Sequence, residues 1–340
     1  MCLYTRPIAL ARVVAAICLV SAQQPLAMAA PFLERYNLQA EVTVAGWFTQ
    51  GETRWDHNAS ALSPLVGSPT SELRYKDENT NVVELGAQVT LRKRIYLRAN
   101  YGFGAIGSGQ LTDDDYVSAA GATFFGTSTP GAQRISRTHS DLNDDHLWYV
   151  TVDLGYAFLD FPGDRGVLKG FVGYQHWTEK LEATGVAQVE CTAPGTFCNP
   201  VGTMTNSGQL VITNIATWHS LRVGLEADYL FFSRARIDGK VAFIPYSSLK
   251  NEDIHHLRTD LRQDPSFGMS GTGLGVNAEG TVSLRLIHEL SLNLGYRVWW
   301  MRVTDGEWQS HPLAAPTVSA NLNEFQTLRH GVTVGLSYRF

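Results

Sequence analysis

The last segment of the chain alternates between apolar residues and small or polar residues along its whole length. Successive side chains of a strand point to opposite faces, so this segment has one apolar and one polar face. A transmembrane β-barrel needs this pattern, with the apolar face toward lipid and the other face toward the lumen. The apolar face carries Val332, Val334, Leu336, Tyr338 and Phe340.

The same alternation recurs along the chain and predicts an all-β fold, a ten-stranded antiparallel transmembrane β-barrel. An even number of strands lets both ends of the barrel lie in the periplasm. Short periplasmic turns are expected to alternate with long extracellular loops. The predicted strands lie near residues 39–52, 71–91, 94–108, 145–160, 166–183, 217–232, 235–250, 268–286, 289–304 and 323–340.

Polar and charged residues regularly occupy the second face of these segments. A soluble β-sandwich would bury that face or expose it to bulk water, and it would not need aromatic residues at its strand ends. In a ring of ten strands, inward charges should instead pair with one another and plug the lumen. Examples of such residues are Arg222, Glu226, Asp228 and Arg297.

The first residues are typical of a secretory signal peptide. Arg6 and Arg12 accompany an apolar run at 13–20, and Ala27-Met28-Ala29 offers a small-x-small cleavage site. We expect residues 1–29 to be removed and residues 30–340 to form one monomeric barrel in the outer membrane of a Gram-negative bacterium. The loss of Arg6 and Arg12 changes the net charge from −5 to about −7, which argues against nucleic acid as a partner.

Cleavage would leave two of the four cysteines, Cys191 and Cys198, close together in a polar stretch. In an oxidising compartment this pair favours a disulfide that closes a loop. The stretch offers no further metal ligands nearby, so we expect no metal site there.

Two predicted extracellular loops begin with dense titratable groups. Asp113 and Asp115 follow the third strand, and Asp253 and His255 follow the seventh, each pair sharing one face if its strand continues. On a closed ring these strands lie close to opposite walls, so the pairs can face each other across the barrel mouth. A histidine held by an aspartate can act as a general base toward water, and two adjacent carboxylates can share a proton and help to hold that water.

At this point the chain resembles the omptins, a family of outer-membrane proteases, and the resemblance covers most of residues 39–340. The motifs that carry it follow the family order. They are Ser71-Glu72-Leu73-Arg74-Tyr75, Gly107-Ser108-Gly109, Asp113-Asp114-Asp115-Tyr116, Ser136-Arg137-Thr138-His139, Gly173-Tyr174-Gln175 and Asp253-Ile254-His255.

The resemblance implies an endopeptidase that cleaves polypeptides outside the cell, with Asp113 and Asp115 as the aspartate pair and Asp253 and His255 as the dyad. It implies no metal or other cofactor apart from lipopolysaccharide as an activator. The substrate-binding positions of the family match Glu52 or Arg54 and Asn251, so a preference for basic side chains is not implied. In the lipopolysaccharide-binding cluster only Tyr174 is retained, because His176 and Thr178 replace charged groups.

Other interpretations of these residues remain open. A calcium ion could bind the three carboxylates at 113–115, although the glycine spacing of known calcium loops is absent. The chain could be a non-catalytic barrel, acting as an adhesin, a structural protein or a narrow pore, with solvated acidic loops. A lipid-modifying hydrolase would need a lipid-facing Ser/His pair, of which His176 is the only trace.

Overall fold

The computed structural model describes residues 37–127, 134–143 and 145–340, and their alternating sequence forms one antiparallel sheet that closes in a ring. The predicted signal peptide lies outside the described residues. The elements are β1 Leu38–Asn58, β2 Val66–Leu91, β3 Ile95–Val117, α1 Ala119–Phe125, β4 Arg134–Leu142, β5 Asp145–Asp160, β6 Gly166–Cys191, β7 Met204–Phe232, β8 Ala235–His255, β9 Phe267–Arg285, β10 Leu290–Ser310 and β11 Val318–Arg339.

The ring closes because β1 pairs with β11, from Glu41 opposite Arg339 to Asn58 opposite Asn321. Ten strands complete the circuit, since β3 pairs with β5 and β5 with β6. The eleventh strand, β4, lies between β3 and β6 beyond the start of β5. The predicted strand count therefore accounts for the ring, but β4 was missed inside a stretch expected to be loop.

The outward face of the ring is apolar at one end, as a lipid-facing surface requires. Val332, Val334 and Leu336 are exposed, while Gly331 and Thr333 on the other face of β11 are buried. The orientation predicted from the alternation is thus confirmed. Within the described residues, no helix is long and apolar enough to cross a membrane.

Beyond the apolar band, the strands continue with their two faces exchanged in character. In β1, the inward residues Thr53 and Trp55 are buried, while Arg54 and Asp56 point outward. The outward face meets water here and the inward face meets a core, so the polar residues change sides. The predicted strands ended where the outward face stops being apolar, so they were too short. Much of the sequence that was expected to form loops is strand.

The barrel interior is closed by paired charges and, above them, by a core of aromatic and aliphatic side chains. The expected pairing of the lumen charges is confirmed, and each acid or base has an opposite charge within hydrogen-bond or ion-pair distance. The nitrogen–oxygen distances are 3.4 Å for Arg222–Asp153, 2.6 Å for Arg98–Glu226, 2.8 Å for Lys169–Asp228 and 2.8 Å for Arg297–Glu84.

The end of the ring beyond the apolar band is held by a short helix and a disulfide. Ser118 caps α1 by accepting a hydrogen bond from the backbone N–H of Gly121 at 3.1 Å. The predicted disulfide between Cys191 and Cys198 is present and closes the loop after β6. Phe125 of α1 packs edge-on against Phe197 of this loop, with ring centroids 5.3 Å apart.

A fully buried triad, Arg329 with Glu78 and Glu179, lies between the charged interior and the upper core. Replacing Arg329 by methionine should destabilise the folded barrel, because both carboxylates would remain buried without a cation. Breaking a buried ion pair typically costs about 3–5 kcal/mol. The measurement is the urea midpoint at which refolded protein loses its heat-modifiable mobility on a gel.

The matched control is Arg94→Gln, because Arg94 pairs with Asp160 at an exposed position. Surface pairs of this kind contribute little, so the control should unfold at the wild-type midpoint. A midpoint for Arg329→Met equal to that of the wild type would contradict the role given to the buried triad.

Candidate active site

The end of β8 presents Asp253 and His255 on the inward face. Pairing with β7 fixes this register, with Asp253 opposite Asn214 and His255 opposite Ile212. Asp253 is fully buried, the His255 side chain is 18% exposed, and His255 Nε2 lies 2.9 Å from Asp253 Oδ2. The Asp253–His255 dyad therefore forms locally, from two residues on one face of a single strand.

Two buried amides support the carboxylate of the dyad. Asn214 Nδ2 donates to Asp253 Oδ1 at 3.4 Å, and Asn251 Nδ2 donates to Asn214 Oδ1 at 2.9 Å. Asn251 also donates to the backbone carbonyl of Ile215 and is 1% exposed. Asn251, predicted to bind substrate, has its amide buried beneath the dyad, where it supports Asn214. Asn214 was not predicted because no motif marks it.

The loop after β8 is tied back to the dyad by Ser266. The backbone N–H of His255 donates to Ser266 Oγ at 3.0 Å, and the N–H of Ser266 donates to the carbonyl of Asp253 at 3.1 Å. Ser266 Oγ in turn donates to the carbonyl of Arg262 at 2.7 Å. These bonds fix the backbone on both sides of the imidazole, which limits the positions that its ring can take.

Across the barrel mouth, Asp113 and Asp115 lie on the inward face of β3. They stand in register with Leu73 and Ser71 of β2, and Ser71 Oγ donates to Asp113 Oδ1 at 3.4 Å. Asp114 points the other way and receives two hydrogen bonds from Arg137, at 2.6 and 2.5 Å. The three carboxylates therefore do not converge, which argues against the calcium site considered from the sequence.

The two carboxylates on β3 and the dyad on β8 share one electrostatic environment. Burial and the charge of Asp115 raise the pKa of Asp113 to about 8, and burial raises the pKa of Asp115 to about 6, while the charge of His255 opposes both shifts. Burial lowers the pKa of His255, but Asp253 and then Asp113 outweigh it, so the net shift is upward. The sequence-predicted catalytic residues are thus brought together.

Tyr75 is a further member of the site that sequence reasoning named only as part of a motif. It is fully buried, stands in register with Leu111, and its hydroxyl has no hydrogen-bond partner among the described residues. Burial and then the charges of Asp253 and Asp113 raise its pKa. The Tyr75 hydroxyl is therefore exposed to the charges of both Asp113 on β3 and Asp253 on β8, and it lies closer to the membrane than Asp113.

Glu52 and Arg54, predicted to bind substrate, do not join this cluster. Both belong to the outward face of β1, because Thr53 between them is inward and buried. Arg54 instead pairs with Glu324 on the outer surface, at 3.1 Å. The alternation of the strand explains the outcome, since residues of even number in this part of β1 cannot reach the cleft.

Tyr174 lies on the outward face of β6, at the edge of the apolar band. Its hydroxyl is 2.6 Å from Nδ1 of His219 on β7, and His176 Nδ1 is 3.4 Å from the same atom. Trp148 packs against His176, with ring centroids 4.3 Å apart. The expected lipopolysaccharide position thus holds a cluster of aromatic and imidazole rings.

A family model described as Pom, Protochlamydia outer membrane protein, matches residues 44–340. No curated protein matches the chain. The fold is similar to the crystal structure of outer membrane protease OmpT from Escherichia coli, with a TM-score of 0.70 and 15% identity over 89% of this chain and 97% of that chain. An identity this low shows the barrel fold alone.

Two other solved barrels have much lower TM-scores. The translocator domain of the autotransporter NalP from Neisseria meningitidis has a TM-score of 0.35 and 10% identity, covering 92% of this chain and 95% of that chain. A Pseudomonas aeruginosa FadL homologue has a TM-score of 0.26 and 9% identity, covering 89% and 90%.

The raised pKa values of Asp113 and Asp115 predict a pH-dependent stability. The folded protein holds these protons where the unfolded chain has released them, so this contribution to the free energy of unfolding falls as pH rises from about 4 to about 8. Asp113→Asn removes one carboxylate from the pair. Its free energy of unfolding in urea, relative to that of the wild type, should rise between pH 5 and pH 8.5 by an amount on the order of a few kcal/mol.

The control for this titration is Asp305→Asn, an exposed carboxylate on β10 outside the cluster. Its midpoint should differ from that of the wild type by the same amount at every pH. If Asp113→Asn also showed a constant difference, the proton would not be held at Asp113 and Asp115.

Proposed function

The chain belongs to the Protochlamydia outer membrane protein family, and we propose that it is an outer-membrane endopeptidase that hydrolyses peptide bonds with an activated water molecule. The observation that carries the proposal is the placement of the Asp253–His255 dyad and of Asp113 and Asp115 on the inward faces of β8 and β3, where the charges of the two pairs act on each other. The fold similarity to an outer membrane protease supports it.

His255 is the general base in this proposal. Its Nε2 is engaged by Asp253, so the Nε2–H tautomer leaves the Nδ1 lone pair available to take a proton from water. Asp253 orients the ring and stabilises the imidazolium that forms, and Asn214 holds the carboxylate in place. The upward shift in the pKa of His255 strengthens it as a base.

Asp113 and Asp115 hold the water and the carbonyl group of the substrate. With pKa values raised to about 8 and about 6, the pair retains one shared proton near neutral pH. The ionised oxygen accepts a hydrogen bond from the attacking water, and the protonated one donates to the carbonyl oxygen. That donated hydrogen bond strengthens as negative charge develops on the oxygen in the transition state.

The proposed reaction needs no covalent enzyme intermediate. The water oxygen bonds to the carbonyl carbon while its proton moves to Nδ1 of His255. The carbon–nitrogen bond then breaks, and the imidazolium returns the proton to the leaving amine. The products are a free carboxyl end and a free amine, and the dyad is regenerated.

The first test removes the base or one carboxylate. His255→Ala or Asp115→Asn should abolish cleavage of an unfolded polypeptide, because general-base catalysis alone contributes about 10²–10⁴-fold. Cleavage is measured by mass spectrometry of the products, and heat-modifiable gel mobility checks that each variant is folded.

The matched control is His256→Ala. His256 is exposed and contacts Thr213 on the outward face, at 2.9 Å from its hydroxyl, so this variant should retain wild-type cleavage. If His255→Ala and Asp115→Asn cleaved the polypeptide as fast as the wild type, the protease proposal would be wrong and a non-catalytic barrel would be favoured. Bilayer recordings would then test that barrel for a narrow pore.

A second test concerns lipopolysaccharide, for which we propose little role as an activator. Tyr174 is already engaged by His219, and His176 and Thr178 bond to each other at 3.1 Å in place of charged groups. Cleavage by detergent-refolded protein should be similar with rough lipopolysaccharide and with an equal amount of phospholipid. Strong activation by lipopolysaccharide over phospholipid would overturn this expectation.

A further inference from the structure

On one side of the candidate site, a row of largely buried aromatic rings begins at His255. Phe267 of β9 packs edge-to-face against His255, with centroids 4.8 Å apart, and stacks on Trp308 of β10 at 5.2 Å. Trp308 in turn stacks on His57 of β1, with centroids 4.0 Å apart and planes 6° from parallel. Phe267, Trp308 and His57, called here the aromatic row, are inward residues of neighbouring parts of the ring.

The other side of the cleft has a different character. There β3 pairs with β4 and β4 with β6, so the residues next to Asp115 and Asp113 are Ser136 and Thr138, followed by Gln188. Gln188 donates to Ser136 Oγ at 3.0 Å and to nearby backbone carbonyls. The aromatic row and this polar side are therefore separated by the line that joins Asp113 to His255.

The carboxylate in register with the aromatic row is Asp253, opposite Phe267, and it is buried and already engaged by His255 and Asn214. Burial lowers the pKa of His57 to about 4, so this ring is neutral at ordinary pH. Asn251 and Asn214 are uncharged amides, and the carboxylate of Glu52 lies on the outer surface. Arg258 adds a positive charge near the mouth, where it lowers the pKa of both Asp115 and His255.

The stacking also removes the usual way in which rings attract cations. A cation binds over the face of an aromatic ring, where the quadrupole is negative. Trp308 has Phe267 toward β9 and His57 toward β1, so both of its faces are covered. Ring edges are positive, which favours the face of an aromatic substrate side chain and disfavours ammonium or guanidinium groups.

We infer that the aromatic row is the subsite for the substrate side chain beside the scissile bond, and that it selects aromatic or large apolar side chains over basic ones. The inference rests on the proposed function, because the row is a subsite only if His255 acts on a peptide. A basic side chain there would lose hydration without gaining a carboxylate, whereas an apolar side chain gains burial.

The test uses quenched fluorogenic peptides that differ at one position beside the scissile bond, carrying Phe, Leu, Lys, Arg or Asp. Wild-type protein should cleave the Phe and Leu peptides with a kcat/KM at least about tenfold higher than the Lys and Arg peptides, within the range that an apolar pocket provides. A preference for Lys or Arg would overturn the inference while leaving the protease proposal intact.

A charge added to the row should change this preference. Ala320 of β11 stands in register with Trp308 and faces the same side, so Ala320→Asp places a carboxylate beside the rings. Its ratio of Lys to Phe cleavage should rise about tenfold or more. The matched control is Asn321→Asp, which adds the same charge on the exposed face of the same strand and should keep the wild-type ratio.

Binding to an inactive variant separates the two proposals. Folded His255→Ala should bind the Phe peptide more tightly than the Lys peptide, as measured by fluorescence anisotropy of labelled peptides. If no peptide is cleaved by wild type but this order of binding holds, the protease proposal fails, whereas the preference of the aromatic row for apolar side chains stands. Equal binding of both peptides would overturn the subsite even if Ala320→Asp did not fold.

Discussion

Closure of the hydrogen-bonded ring is the constraint on which the remaining structure depends. An unpaired backbone group in hydrocarbon costs several kcal/mol, so each strand must pair along both edges, and the pairing of β1 with β11 completes the circuit. The ring order then sets β3 and β8 close to opposite walls. Two local sequence patterns at distant positions become one site because a closed ring leaves their inward faces pointing at each other.

The enclosed interior gives similar carboxylates different properties. Asp253 has His255 and Asn214 as hydrogen-bonding partners, whereas Asp113 has a second carboxylate and a Ser71 hydroxyl at 3.4 Å as its neighbours. Burial and the charge of Asp115 raise the pKa of Asp113, and one hydroxyl at 3.4 Å does not offset them. One carboxylate can therefore orient a base while the other, with its pKa raised to about 8, keeps a proton near neutral pH.

Most of the membrane part of the fold could be predicted from the sequence, since lipid imposes one pattern on every outward face, as Val332 and Val334 illustrate. The strand segments beyond the apolar band could not be predicted in this way, because their polar side chains point outward. Strand β4 has no lipid-facing residues that would mark it. The positions of Asp113, Asp115, Asp253 and His255 on facing walls were predictable from spacing and ring order, and their catalytic role stays a prediction. Glu52 and Arg54 lie on the outer surface because resemblance alone does not decide which face a shifted residue occupies, whereas Asn251 lies on the inward face but is buried beneath the dyad. Asn214 and the aromatic row were missed because partners from separate strands meet only in the folded ring.

The ring also separates the residues of the proposed hydrolysis from those of the proposed substrate preference. At any one height along the barrel, each strand contributes about one inward side chain. The dyad therefore comes from β8 alone and the carboxylate pair from β3 alone. Residues on β9, β10 and β1 can therefore vary without touching the carboxylates. Phe267 is the exception, because its ring packs on His255 at 4.8 Å and couples the subsite to the base. In the proposed enzyme, a substrate side chain that displaced Phe267 would shift the imidazole as well, so the proposed selection by the row and the proposed activation of the water are linked through this one contact.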